Sequence, residues 1–233
     1  MLKNPFNKDV TLNGGYWYTT QAGLSSLLAN QRLTKATLET VSLNNKRVID
    51  IGCGDGVYTA EIYKAGKPKK MLGFDSSNNA IDLARKKFED KNLHFLNGDI
   101  YTLSKINQKF DCAIVRGVLH HLENPKKAIW QIAKIADETL ILEPNGYNPI
   151  LKIIEKISPY HREHKEKSYP PFKLKKWLEE AGFKIVKEKF VGLVPFFFPR
   201  RLALFLKKLE PFLEAFFLKS IFCGVYVIYA KKT

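Results

Sequence analysis

Lys46-Arg47-Val48-Ile49-Asp50-Ile51-Gly52-Cys53-Gly54-Asp55-Gly56 is the stretch on which the organisation of this chain turns. It passes from a short apolar run, KRVIDI, into a turn with glycine at every second position, and helical character continues from Val57 to about Ala65. A strand, a tight turn and a helix follow in that order. Glycine lets the backbone turn sharply and brings main-chain N–H groups close to a ligand at a helix start. A dinucleotide fingerprint would read G-x-G-x-x-G, whereas here the third glycine comes one residue early and Val57 stands in its place. The spacing points away from a nicotinamide cofactor.

Outward from this turn the unit recurs. Strands are expected at 70–74, 93–96, 111–115 and 139–142, with helices at 78–88 and 125–136 between them. A helix at 174–181, stopped by Gly182, precedes a strand at 183–190, and a last strand spans 224–230. A helix over 21–40 precedes the first strand. Strands alternating with helices at this spacing predict a parallel sheet covered on both faces.

With 233 residues, 45% of them hydrophobic, the chain suits one α/β domain with decorations. The N-terminus, MLKNPFNKDV, lacks the apolar stretch of a secretory signal, and no uncharged run reaches bilayer-spanning length, so a cytoplasmic location is expected. Three widely spaced cysteines, Cys53, Cys112 and Cys223, form neither a disulfide framework nor a zinc set. The net charge is +15, and residues 144–233 hold 18 Lys and Arg against 8 Asp and Glu, a surplus of 10. Such an excess draws anionic partners, or it is simply a well-solvated surface.

Further motifs lie downstream in a fixed order: Phe74-Asp75-Ser76 after the second strand, Gly98-Asp99-Ile100 after the third, and Phe110 to Leu122, ending RGVLHHL, through the fourth. With the D-x-G-x-G-x-G loop, this series resembles the class I S-adenosylmethionine (SAM) methyltransferases. Glu143-Pro144-Asn145 and Glu180-Ala181-Gly182-Phe183 extend the resemblance over most of 46–191. It implies a doubly wound, mostly parallel, seven-stranded Rossmann-like sheet with helices on both faces, an N-terminal helical lid and a late helical insertion. The single domain would divide into a lid (1–45), a SAM-binding core (46–191), an insertion (192–222) and a last strand with a basic tail (223–233).

The resemblance further implies S-adenosyl-L-methionine as cofactor. Asp50, Gly52, Gly54 and Gly56 would form its loop, and Asp75 with Ser76 would meet the ribose. Asp99 and the Ile100 N–H would meet the adenine, and the Arg116 backbone would lie near the methionine moiety. Asp50 could instead simply fix the loop, as short carboxylates do in turns.

Methyl transfer from a sulfonium is an in-line displacement, so positioning contributes most and no protein nucleophile is needed. A hydroxyl acceptor calls for a general base, and the candidates are His120, His121, His161 and His164. His121 best matches the family's recurring histidine, and His121 or His164 is expected to serve as the base. No metal site is recognisable. Tyr16, Trp17 and Tyr18 after Gly14-Gly15 could close over the cofactor or pack the first helix.

The insertion contains eight of the sixteen phenylalanines. Leu202, Phe205, Leu206, Leu209, Phe212, Leu213 and Phe216 recur at helical spacing among Arg201, Lys207, Lys208 and Lys219, predicting an amphipathic helix or a pair broken near Pro211. An anionic membrane surface, a lid over a greasy acceptor and an internal packing face are all consistent with it. The expected acceptor is a small, apolar or amphipathic molecule. An RNA or protein acceptor is the alternative, though nucleic acid is disfavoured because the aromatic and basic residues are not interleaved as in an RNA-binding module. A non-catalytic cofactor-binding subunit fits poorly with an intact Gly52-Gly54-Gly56, Asp75 and Asp99 set.

Overall fold

The computed structural model describes residues 14–16, 19, 23–157 and 167–233. Seven strands form one sheet: β1 (Arg47–Ile51), β2 (Lys70–Asp75), β3 (Leu93–Asn97), β4 (Phe110–Arg116), β5 (Ala136–Pro144), β6 (Phe183–Val191) and β7 (Val225–Lys232). Their order is β3-β2-β1-β4-β5-β7-β6. The first five are parallel, and β7 runs antiparallel between β5 and β6.

The helices are α1 (Leu24–Thr40), α2 (Val57–Gly66), α3 (Asn78–Phe88), α4 (Pro125–Ile135), α5 (Pro149–Ile157), α6 (Pro171–Glu180), α7 (Arg200–Ala215) and α8 (Lys219–Phe222). Capping fixes two of these starts. Ser77 accepts the Ala80 N–H at 3.2 Å, and Asn124 accepts the Lys127 N–H at 3.0 Å with Pro125 in the first turn.

Strand side chains alternate between two apolar layers, as a sheet covered on both faces requires. Ile49, Ile51, Ala113, Val115 and Ile141 join Ile129, Leu174 and Leu178 of α4 and α6 on one face. Val48, Cys112, Ile114, Leu140 and Leu142 join Leu33, Ile62 and Ile81 of α1, α2 and α3 on the other. The doubly wound α/β architecture expected from the sequence is the one observed.

Of the two forms expected for the late insertion, the single amphipathic helix is the one observed. The helix is not broken at Pro211: α7 continues to Ala215, and α8 begins at Lys219. Proline removes one helical N–H, but the helix is anchored on both sides of it. Glu210 accepts the Leu193 N–H at 3.1 Å, and Glu214 accepts the Gly192 N–H at 2.9 Å and pairs with Arg32 of α1 at 2.6 Å. Only part of the apolar stripe turns inward, with Leu206, Leu209 and Leu213 half-buried. Ala203 and Glu210 are buried and Lys207 and Glu214 half-buried, whereas Leu202, Phe205, Phe212 and Phe216 are exposed. Arg32 explains this orientation. Its side chain is only 10% exposed, and a buried guanidinium demands carboxylate partners, which α7 supplies from the side opposite its phenylalanines.

Helix α5 was not expected. It follows β5 directly, has no buried residue, and is joined to the end of α8 through Asn148, whose side-chain amide donates to the Phe222 carbonyl at 3.1 Å.

Candidate functional site

The sequence-predicted residues converge because parallel strands all end at one edge. Gly52 N–H donates to the Phe74 carbonyl at 2.7 Å and Cys53 N–H to the same oxygen at 3.2 Å, fastening the glycine turn to the end of β2. Gly98 N–H donates to the Asp75 carbonyl at 2.9 Å. The turn after β1, Asp75 at the end of β2 and the Gly98-Asp99 turn after β3 are therefore neighbours along this edge.

Gly54 and Gly56 have φ of +56° and +80°, a region that side chains with Cβ rarely adopt. A Cβ on Gly54 would lie 2.8 Å from the Tyr16 ring, and one on Gly56 would lie 2.8 Å from the Ala84 Cβ. Tyr16 therefore rests directly on the turn. Asp55 holds it there, accepting the Tyr16 N–H at 3.1 Å and the Thr19 hydroxyl. Trp17 and Tyr18 lie outside the described residues.

The Asp75 carboxylate accepts the Gly54 N–H at 3.0 Å and the Ser77 N–H at 2.8 Å. Burial raises its pKa, and the Ser77 and Gly54 amides oppose that. Ser76 is exposed beside it. Asp99 is exposed and caps the 3-10 turn over 100–106, accepting the Tyr101 N–H at 2.8 Å, and Ile100 is buried at the start of that turn.

Asp50 faces inward and accepts the Thr59 hydroxyl at 2.5 Å. Burial pushes its carboxyl up to about 6, against the opposing pull of Thr59 and Arg116. The Arg116 side chain reaches α1, donating to the Asn30 side chain at 2.6 Å and the Thr34 hydroxyl at 3.1 Å, and its guanidinium lies 4.4 Å from the Tyr58 ring centre. Arg116 thus fastens α1 over the end of β4. Burial also raises the Cys53 thiol well above its ordinary pKa and pushes Cys112 up to about 12. Both are held protonated, which suits packing and not nucleophilic chemistry.

After β4 the chain turns at Gly117 into a short 3-10 segment, Leu119–His121. Val118 packs on the glycine turn: a Cβ at Gly52 would lie 2.2 Å from its Cγ2. Glu143, near the end of β5 and 1% exposed, accepts the N–H groups of Val118 and Leu119 at 2.8 Å each and that of His120 at 3.2 Å. Its Oε2 also lies 2.8 Å from His120 Nδ1. Glu143 thus pairs with His120, and His121 is half-buried with its ring 3.9 Å from that of His120. His161 and His164 lie outside the described residues. In the sequence Glu143 stands out only as part of the Glu143-Pro144-Asn145 motif. A lone carboxylate closing the apolar strand TLILE was the available signal, since an acid there has to be paired.

A model of a methyltransferase domain matches residues 24–188. O-methyltransferase rstn1 of Aspergillus nomiae is 26% identical over 186 residues, covering 74% of this chain and 80% of that protein. Ubiquinone biosynthesis O-methyltransferase of Coxiella burnetii is 29% identical over 122 residues, and the match spans about half of either protein, 51% of each. Among solved structures, a SAM-dependent methyltransferase from Archaeoglobus fulgidus superposes with a TM-score of 0.63 at 22% identity, covering 90% of this chain and 95% of that one. With the family model spanning most of the chain, the protein belongs to the methyltransferase-domain family and is a SAM-dependent methyltransferase of the class I fold.

Proposed function

We propose that the enzyme methylates a hydroxyl oxygen of a small, apolar or amphipathic acceptor, with His120 as the base. The observation that carries this reading is the Glu143–His120 pair at 2.8 Å, two residues from the Val118 side chain that rests on the glycine turn. A held imidazole is what a neutral hydroxyl requires, whereas a free amine needs little beyond alignment. Hydrogen bonding to Glu143 orients the ring and sets its tautomer, and the carboxylate compensates the charge that develops when the acceptor's proton arrives. The names of the O-methyltransferases similar to this chain support an oxygen acceptor.

The cofactor residues present fit SAM. The turn of Gly52, Gly54 and Gly56 leads into α2, whose N-terminal amides favour a carboxylate. Each Asp75 oxygen accepts one backbone N–H and keeps lone-pair capacity for ribose hydroxyls, with Ser76 exposed alongside. Asp99 and the Ile100 N–H stand on the adjacent strand end for adenine. Asp50 acts behind the turn, through Thr59, and Arg116 acts by seating α1. SAM held by these residues would supply a sulfonium methyl for in-line transfer to the acceptor oxygen. The chain's own part is to align the oxygen and take its proton.

Incubating the protein with cell extract and SAM carrying an isotopically labelled methyl group, followed by mass spectrometry, tests this reading. Labelled methyl ethers or esters of small molecules are the expected products. Label recovered in ribonuclease-sensitive material or in protein would replace this acceptor class with a macromolecule, the reading otherwise suggested by the +15 net charge.

A further inference from the structure

The insertion between β6 and β7 leaves its aromatic side chains outward, with Leu206, Leu209 and Leu213 half-buried beneath them. Its two acids face the protein: Glu210 is buried against the Leu193 N–H, and Glu214 pairs with Arg32. Its aromatics face outward: Phe205 is 56% exposed, Phe212 75% and Phe217 78%. Leu202, Leu204, Ile221 and Phe222 are exposed with them. Around these, Arg200, Arg201, Lys208 and Lys219 are also exposed. Residues 193–222 contain no acid besides Glu210 and Glu214, so the outward side combines exposed apolar side chains with four cations and no carboxylate.

We infer that this surface docks on an anionic lipid bilayer. Charge decides between the occupants an apolar patch could take. A second copy of the chain meeting the same patch by two-fold symmetry would place four cations against four, whereas an anionic leaflet neutralises them. The mixture of aliphatic and aromatic side chains also matches the headgroup–acyl boundary, which accepts both, while a single-stranded nucleic acid would use the cations and rings and leave Leu202, Leu204 and Ile221 without a partner. The placement gives the contact a use. Pro144 at the end of β5 and Val191 at the end of β6 both pair with Val225, so the insertion emerges at the sheet edge that holds the glycine turn. Docking there turns the active edge toward the membrane. For an amphipathic acceptor, a point that rests on the reading above, the substrate could pass from bilayer to site without crossing water.

Sedimentation of the full chain with vesicles tests the inference, using phosphatidylcholine with about one third phosphatidylglycerol against phosphatidylcholine alone. Binding to the anionic vesicles at low salt is expected, with little to the neutral ones. Two surface variants should each weaken it about tenfold or more: Phe212→Ser with Phe217→Ser, and Lys208→Glu with Lys219→Glu. S-adenosylhomocysteine affinity, measured on the same samples, should be unchanged, which separates loss of docking from loss of the cofactor site. No binding at low salt would overturn the inference. So would binding that the phenylalanine variant leaves intact, which would assign it to diffuse positive charge. A concentration-dependent dimer abolished by the phenylalanine variant, with no vesicle binding, would hand the surface to a second copy.

Discussion

Glu143 Oε2 lies 2.8 Å from His120 Nδ1, and the same carboxylate receives three consecutive backbone N–H groups, from Val118 to His120. One buried acid at the end of β5 thus fixes both a ring and the loop that carries it. Glu143→Gln preserves the shape but turns an amide NH2 toward donors, leaving buried N–H groups without an acceptor. Stability should fall by about 1–3 kcal/mol in urea titrations. Turnover on the acceptor identified by methyl labelling should fall about a hundredfold, with S-adenosylhomocysteine affinity nearly unchanged. His121→Ala should leave turnover close to wild type; the opposite pattern would return the base role to His121.

Asp75 is expected to act on two properties at once, because it already accepts the Gly54 and Ser77 amides before any ligand arrives. Asp75→Ala should weaken SAM binding by about 1.5–3 kcal/mol in calorimetry through lost charged hydrogen bonds. It should also lower the melting temperature of the cofactor-free protein, since the glycine turn loses an anchor. Weaker binding with an unchanged melting temperature would mean that the two amides are satisfied without the carboxylate.

Asp50 gives the cofactor-free protein a pH dependence whose sign follows from burial. Its folded-state pKa is raised to about 6, above the unfolded value of about 3.9. Between these values the folded chain holds a proton that the unfolded chain has released, so this group's contribution to stability grows as pH falls through about 6. It disappears as pH rises past that point. Asp50→Asn removes the titration. Relative to wild type, the variant should lose about 1.4 kcal/mol of stability when urea titrations at about pH 7.5 are repeated at about pH 5. A constant difference between the two proteins would show that Asp50 does not titrate in this range.

Arg32 joins α1 to α7 through Glu214 at 2.6 Å, with Glu210 at 3.9 Å. Removing one partner strands the other charges in a largely buried setting. Arg32→Met should therefore destabilise the protein by about 3 kcal/mol and expose the insertion to proteolysis. Arg32→Met combined with Glu210→Gln and Glu214→Gln should recover part of that loss, which thermal melts of the single and combined variants would show.

The sequence by itself determined the alternation of strands and helices and the glycine turn between the first strand and the helix that follows it. Those signals are local: apolar periodicity over a few residues, glycine at fixed offsets, and Asp75 and Asp99 at successive strand ends. Hence Asn78–Phe88 was legible to its end residues. Tertiary structure alone decided three other matters. It placed β7 antiparallel between β5 and β6, a pairing between segments far apart in sequence. It brought to His120 a carboxylate, Glu143, that stands 23 residues away on another strand. It also decided which side of α7 faces in. Helical periodicity reveals that a stripe exists but not what waits to cover it, and here the buried cation of Arg32, 182 residues from Glu214, drew the acids inward and left the phenylalanines outside.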